Sequence, residues 1–396
     1  MKVLTFSTLY PNAATPHHGV FVENRLRQLV ATGQVETRVV APVPWFPFTA
    51  ARFGDYARFA RAPAREVRHG IAVEHPRYLL LPKVGMTLAP FALFLGALPA
   101  VRRALANGFD FDLIDAHYFY PDGVAAVLLA RHFGRPVTIT ARGTDINLIP
   151  RYAAPRRLIR WAAHHAHGLG AVCQALKDEM VGLGMPEAKV RVLRNGVDLA
   201  LFRPGDRVAA RHKLGVDGPV VASVGHLIDR KGHDLVIDAM AELPDATLLI
   251  AGEGPDRAAL ESLSARLGVA GRVRFLGRIV HEELPDLYRA ADALVLASSR
   301  EGWANVLLEA MACGTPVVAS NVWGTPEVVA APEAGRLLPE RSAAAIAAGV
   351  RALLADPPSR AATRAYAERF GWEPTTQGQL DQFRDILVPH GQRVAA

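Results

Sequence analysis

Leu296-Ala297-Ser298-Ser299-Arg300-Glu301-Gly302-Trp303-Ala304-Asn305-Val306-Leu307-Leu308-Glu309-Ala310-Met311-Ala312-Cys313-Gly314-Thr315-Pro316 reads as the end of a buried strand, a polar loop and a helix. Asn305 suits the helix N-cap, and Gly314 with Pro316 stops it. A helix begun this way turns the backbone amides of Gly302, Trp303, Ala304, Asn305 and Val306 outward, at the positive end of its dipole. That makes an anion site sized for a diphosphate.

Glu301 and Glu309 lie eight residues apart, and at roughly 100° per residue they cannot share a helix face as a carboxylate dyad. They need separate tasks. We expect Glu309 in the first turn of the helix, where a carboxylate beside a bound anion serves better as acceptor for a ribose diol than against phosphate. Glu301, in the loop, can reach a sugar ring. The competing reading is that Glu309 only favours the helix N-terminus and Glu301 is a solvated loop residue.

Outward from this segment, short β-rich runs alternate with helical stretches, the pattern of parallel sheets built from βαβ units. Strands are predicted at 2–7, 37–41, 113–116, 137–141, 168–172 and 190–193, and again at 220–224, 247–251, 273–276, 293–296 and 316–319. The restart after the turn-forming residues 198–206 predicts two doubly wound α/β domains, because one open sheet of this many strands would be too wide. We place an N-terminal Rossmann-like domain at 1–200, joined by the tail 371–396, and a second at 201–370. In such sheets ligands bind beyond the carboxyl ends of the strands.

Two further strand ends carry chemistry. After 220–224 comes Gly225-His226-Leu227-Ile228-Asp229-Arg230-Lys231-Gly232, whose adjacent cations suit a diphosphate leaving group unless they merely face solvent. After the first strand, Gly19 stands at a strand-to-helix mouth without a Gly-x-Gly-x-x-Gly fingerprint, either approached by a ligand or an ordinary turn glycine. His117 ends another strand and could donate to a sugar hydroxyl or be structural. His164, His165 and His167 lack a carboxylate partner nearby, and no Asp-x-Asp follows a strand, so neither a resident metal nor a diphosphate-bridging cation is expected.

Composition narrows the classes. With 396 residues, half of them hydrophobic and 21% charged, the chain can bury two cores, which excludes a disordered or fibrous protein. Its two cysteines, Cys173 and Cys313, exclude a disulfide framework and fit a cytoplasmic setting. The opening Met1 to Thr8 is too short for a signal core and reads as a strand. The apolar stretch 79–101 contains Lys83 and Pro82, Pro90 and Pro99, and its charge-free core falls short of a membrane span. Lys and Arg exceed Asp and Glu by 24 to 14 in residues 1–200, against 21 to 24 in the remainder. The excess gathers at Arg52, Arg58, Arg61, Arg65 and Arg68 among Phe53, Tyr56 and Phe59, and at Arg151, Arg156, Arg157 and Arg160 beside Leu158, Ile159 and Trp161. Both clusters look amphipathic and suit an anionic membrane surface, or else form a solvated arginine face; no nucleic-acid motif accompanies them.

Together these segments resemble glycosyltransferase family 4, the retaining, nucleotide-sugar-dependent transferases of GT-B fold. The resemblance rests on Glu301-x7-Glu309 with its Ala310 to Val318 continuation, on Val224-Gly225-x-Leu227 to Lys231-Gly232, and on Arg194-Asn195-Gly196-Val197-Asp198. In the first half it rests on Tyr10-Pro11-Asn12 with His18-Gly19-Val20-Phe21-Val22, and on Ala116-His117 to Pro121-Asp122-Gly123. It implies an interdomain cleft and a C-terminal helix, within residues 370–390, that crosses back onto the first domain. It also implies that Lys231 and Arg230 hold the donor diphosphate, that Glu309 takes the ribose, that Glu301 and His117 meet the transferred sugar, and that the backbone at Gly277, Arg278 and Ile279 meets the base. Two positions depart from the family pattern: His226 replaces the usual Arg, weakening one phosphate clamp, and Arg142 replaces a His before Gly143-Thr144-Asp145, which favours an anionic acceptor. Arg142 and Asp145 are therefore taken as acceptor-side residues. Within the family, the opening loop and residues 141–147 look most like bacterial enzymes of teichuronic-acid and exopolysaccharide assembly.

The expected reaction is metal-independent transfer of a hexosyl unit from a nucleoside-diphosphate sugar to a glycan or polyprenyl-linked acceptor, with retention. No cofactor is expected, and the expected place is the cytoplasm, with peripheral attachment to the inner face of the membrane as a second possibility. The alternatives are an epimerase of nucleotide sugars on the same scaffold and a silent membrane-bound scaffold.

Overall fold

The structure, a computed structural model, describes residues 1–80 and 85–388. Pro82, Lys83 and the tail beyond 388, His390 included, lie outside the described residues. The chain divides into two compact units, Met1–Arg194 joined by the chain from Glu373 onward, and Asn195–Trp372. The divide falls before the 200/201 joint expected from sequence, because residues 195–202 are tied into the second unit. Val197 N–H donates to Phe370 O, and the Asn195 carbonyl accepts from Trp303 Nε1 at 2.9 Å.

The strands of the first unit are β1 (Lys2–Phe6), β2 (Glu36–Val40), β3 (Val43–Pro44), β4 (Arg65–Arg68), β5 (Ile71–Glu74), β6 (Arg77–Tyr78), β7 (Leu113–His117), β8 (Val137–Ala141), β9 (Gly168–Ala171) and β10 (Val190–Val192). Eight form one sheet in the order β10-β9-β8-β7-β1-β2-β5-β4, parallel throughout except for β4 against β5; β3 and β6 pair separately. Strands β7 and β8 are buried along their whole length, so they sit in a sheet covered on both faces. The helix Glu373–Leu387 packs on this unit, placing Leu380 and Phe383 in a core with Val3, Leu26 and Leu113. Its Gln379 links Arg25 Nε (2.7 Å) to Asp115 Oδ2 (2.7 Å).

The second unit contains β11 (Val220–Val224), β12 (Thr247–Ala251), β13 (Val273–Gly277), β14 (Ala293–Leu296), β15 (Val317–Ser320) and β16 (Gly335–Leu338), all parallel, in the order β13-β12-β11-β14-β15-β16. Counted within the unit this is 3-2-1-4-5-6, the doubly wound order that reverses between its first and fourth strands. The crevice at that reversal lies beyond the ends of β11 and β14. In the first unit the corresponding reversal lies between β1 and β7.

The sequence reading missed β3, β4, β5, β6 and β16. Arg65-Glu66-Val67-Arg68 has one apolar residue and is the antiparallel edge, where hydrogen bonding to β5 rather than side-chain burial makes the strand. The first arginine cluster is consequently divided. Arg52 lies in a 3-10 turn and Arg58 and Arg61 on the short helix Asp55–Arg61, whereas Arg68 is half-buried and grips Glu23 through two nitrogens at 2.6 and 3.2 Å. The second cluster also departs from the interfacial expectation. On the helix Ala153–His165 the apolar side, Pro155, Ile159, Ala162 and Ala163, is buried in the unit, leaving arginines outward.

From residue 85 onward, the stretch expected to fall short of a span lies in a 22-residue helix, Gly85–Ala106, continuous through Pro90 and Pro99. By length and composition it is the one helix among the described residues long and apolar enough to cross a membrane. One face packs in the unit through Ala89, Leu93, Ala97, Ala100, Val101 and Ala104, while Leu88, Phe91 and Leu95, spaced i, i+3 and i+7, are exposed.

Candidate functional site

In the second unit β11 ends at Val224, and the chain turns through Gly225 and His226 into a 3-10 turn, Asp229–Lys231, closed by Gly232. Gly232 has φ 69°, and a Cβ there would stand 2.2 Å from Ala297 O, so only glycine brings this turn against the end of β14. The loop after β14 is thereby held to the cationic turn: Ser299 N–H donates to Arg230 O at 2.8 Å, and Arg230 Nη1 to Arg300 O at 3.1 Å.

Glu301 stands at the centre. Its Oε1 accepts from Lys231 Nζ at 2.5 Å and from Ser298 Oγ at 2.7 Å, with Arg230 Nη1 at 3.8 Å. Burial pushes the Glu301 carboxyl up, but the Lys231 ammonium, the Ser298 hydroxyl and Arg230 together hold it below the usual carboxylate range. Lys231, Arg230 and Glu301 are thus brought together as one ionised cluster at the sheet's reversal. A divided anion arriving there meets a cation pair whose charge is half answered by protein.

The helix is Asn305–Ala312, with Ala304 as its cap and no side-chain capping bond, which corrects the expectation that Asn305 caps it. Asn305 is the first helical residue instead, with Asn195 Nδ2 3.4 Å from its Oδ1. Glu309 stands beyond the first turn, so the dipole does not account for it. It is held by two partners the sequence reading did not name: Tyr288 Oη donates to Oε2 at 2.9 Å, and His281 Nε2 lies 3.4 Å from Oε1. The two glutamates therefore have separate surroundings, as their spacing required. Trp303 is buried, and its indole N–H is spent on Asn195 O, so a donor could meet only its backbone. His226 is exposed beside the turn, while Arg278 is exposed and paired to Glu253 Oε2 at 3.0 Å; Ile279 follows it after β13.

In the first unit the reversal between β1 and β7 is tightly laced. Asp122 accepts from Thr8 N–H at 2.7 Å and Thr8 Oγ1 at 2.9 Å, and His18 Nε2 lies 3.2 Å from Thr8 O. Gly19, with φ 73°, starts the helix Val20–Ala31, and a Cβ there would fall 2.2 Å from Leu9 O, so the backbone passes too closely for any side chain.

His117 and Asp145 are placed otherwise than expected. His117 is buried, with Arg142 Nη2 2.6 Å from Nδ1 and Asp115 Oδ2 3.3 Å from Nε2. Burial pushes its imidazole down to about 4, against the pull of Asp115 and with the help of Arg142. A neutral ring that accepts from Arg142 carries its proton on Nε2 and gives it to Asp115, which leaves neither nitrogen for a sugar hydroxyl. Asp145 is fully buried and accepts the N–H groups of Phe119 (2.7 Å), Gly143 (2.7 Å) and Arg142 (3.0 Å). Its carboxylate shapes the loop and is not offered to an acceptor. Arg142 remains partly accessible, its guanidinium 5.5 Å from the Phe21 ring centroid. His164 and His165 bond the carbonyls of Arg160 and Trp161 in their own helix.

Ser298 could have been found in the sequence, three residues before Glu301 in the same loop. Tyr288 and His281 could not, since they reach Glu309 from another helix and another turn.

The whole chain superimposes on solved GT-B enzymes. Sucrose-phosphate synthase from Thermosynechococcus elongatus matches at TM-score 0.81 and 21% identity over 98% of this chain and 99% of that one. HepE from Anabaena, solved in complex with UDP-glucose, matches at TM-score 0.75 and 23% identity over 97% and 100%. Two doubly wound sheets with anion-ready loops at the reversal of the second define the class of fold: it is GT-B. Residues 19–201 match the family model Glycosyltransferase Family 4, and residues 206–370 match Glycosyl transferases group 1. D-inositol 3-phosphate glycosyltransferase of Mycobacterium tuberculosis is 40% identical over 218 residues, 52% of this chain and 45% of that protein. The chain thus matches about half the length of the curated relatives it resembles.

Proposed function

We propose that this protein transfers a sugar, with retention, from a nucleoside-diphosphate sugar to a hydroxyl of a glycan or polyprenyl-linked acceptor in bacterial surface-polysaccharide assembly of the teichuronic-acid or exopolysaccharide kind. One observation carries the reading. The cation pair Arg230 and Lys231, the amides from Gly302 to Val306 and the carboxylates of Glu301 and Glu309 come from two strand ends that neighbour each other at the sheet's reversal. This is the set a diphosphate, a ribose and a sugar would ask for. The UDP-glucose held by HepE supports a UDP-sugar as the first donor to try. A same-face displacement is preferred: the departing phosphate oxygen takes the acceptor proton while Arg230, Lys231 and the helix amides absorb the developing charge. These cations make a divalent metal unnecessary for that charge. His226 and the backbone at Arg278 and Ile279 belong to the donor side.

Arg142 supports a second reading of the acceptor, as a phosphorylated small molecule. The named products or substrates of sucrose-phosphate synthase and D-inositol 3-phosphate glycosyltransferase support it too. Peripheral attachment to an anionic membrane is supported by Leu88, Phe91 and Leu95 at 51, 42 and 62% exposure, together with exposed Trp45, Phe48 and Tyr56 and the outward Arg52. The test begins with thermal shifts against UDP-, GDP- and ADP-sugars and continues with release of the nucleoside diphosphate, with and without acceptor. Acceptor-dependent release supports transfer. Conversion of the donor sugar without acceptor marks an epimerase, and stabilisation with no turnover marks a scaffold.

A further inference from the structure

Glu309 is a long side chain on a helix, and a carboxylate of that kind ordinarily samples several rotamers. Here both of its oxygens are engaged before any ligand is present. Tyr288 Oη donates to Oε2 at 2.9 Å, and His281 Nε2 lies 3.4 Å from Oε1. Tyr288 is itself immobile: its ring is fully buried, and its carbonyl accepts from the Thr315 hydroxyl at 2.5 Å and from Arg360 Nη2 at 3.4 Å. His281 packs edge-on against Phe202, with ring centroids 5.0 Å apart. Its pull from burial is outweighed by Glu309, so the imidazole is raised above its ordinary value.

We infer that Tyr288, with His281 as its second hand, is a positioning residue that fixes the Glu309 carboxylate in the one orientation from which it accepts both hydroxyls of a ribose, and so sets discrimination between ribo- and deoxyribonucleotides. The inference rests on the reading of Glu309 as the ribose acceptor. Each carboxylate oxygen has two acceptor sites, so one bond to Tyr288 and one to His281 leave two for a diol. A Glu309 held in place loses less freedom on binding than a mobile one, and loses the 2′-hydroxyl bond outright when the ligand lacks that group.

The experiment compares UDP with 2′-deoxy-UDP, and ADP and GDP with their deoxy forms, by calorimetric Kd on the full chain. In the wild type we expect the ribose form to bind about tenfold or more tightly, as a hydrogen bond to a charged group gives. Glu309→Ala brings the ratio close to one. Tyr288→Phe, which removes only the hydroxyl, lowers it to about threefold or less, with the affinity for the deoxy form nearly unchanged. A purely structural role would lower Tm or weaken both ligands together and leave the ratio intact. Should Tyr288→Phe fold poorly, His281→Ala takes its place and also lowers the ratio. Loss of the ratio in Glu309→Ala but not in Tyr288→Phe or His281→Ala overturns the inference. A wild-type ratio retained in Glu309→Ala overturns the ribose reading itself.

Discussion

Lys231→Ala removes the cation that stands 2.5 Å from Glu301 Oε1, in a pair whose side chains are 16 and 9% exposed. The stranded carboxylate keeps Ser298 Oγ at 2.7 Å and Arg230 at 3.8 Å. Breaking a buried ion pair costs about 3–5 kcal/mol when nothing else answers the charge, so with these two partners left the loss should be about 2 kcal/mol. For a domain of this size that is a Tm lower by about 4–8 °C. The pH dependence is more discriminating. In the wild type the Glu301 carboxyl lies below its unfolded value, so its stabilisation is present above the unfolded pKa and is lost as pH falls through the folded one. Without Lys231, burial prevails and the carboxyl rises, so the variant gains from acid what the wild type loses. The gap in Tm between the two proteins should be widest near pH 8 and close toward pH 4, followed by scanning fluorimetry across that range. At saturating donor, release of nucleoside diphosphate should fall about 10²-fold, since the missing cation answers charge that develops on the leaving group. A gap in Tm that does not change with pH, or a turnover equal to wild type, would refute the pairing and the leaving-group role respectively. Glu301→Gln combined with Lys231→Ala should restore most of the lost Tm, because the amide needs no counter-ion.

Asp145→Asn leaves one of the three N–H groups from Phe119, Gly143 and Arg142 without an acceptor and should destabilise the first unit by about 1–3 kcal/mol, read from the urea midpoint. Burial, with Lys231 nearby, pushes the His233 imidazole down to about 4, so the unfolded chain binds more protons between pH 6.5 and 4 and stability falls as pH drops through that window. His233→Gln should flatten this slope in urea titrations at pH 4.5, 5.5 and 6.5, and an unchanged slope would place the proton uptake elsewhere. EDTA should leave transfer undiminished within twofold, and loss of activity restored by magnesium would overturn the assignment of the charge to Arg230 and Lys231. Leu88→Glu with Phe91→Glu should abolish co-sedimentation with phosphatidylglycerol vesicles while leaving the donor-induced thermal shift in place.

The central parallel strands, such as β7, β8, β11 and β14, were legible because each is a short run of β-formers buried on both faces, bounded by glycine, proline or a helix start, and such runs need no partner to be recognised. Val220–Val224, Thr247–Ala251 and Ala293–Leu296 are bounded in the structure as they are in the sequence. So was the separation of Glu301 from Glu309, since helix geometry forbids a shared face at that spacing. Edge strands such as Arg65–Arg68 were illegible because what makes them strands is a neighbour's backbone, not their own side chains. The same reason governs the site. Residue type and local spacing nominate Lys231, Glu301 and Glu309. The spending of His117 on Asp115 and Arg142, of Asp145 on three loop amides and of Glu309 on Tyr288 and His281 is decided only when distant segments close to within 3.5 Å, because a hydrogen bond depends on a distance that no one-dimensional pattern contains.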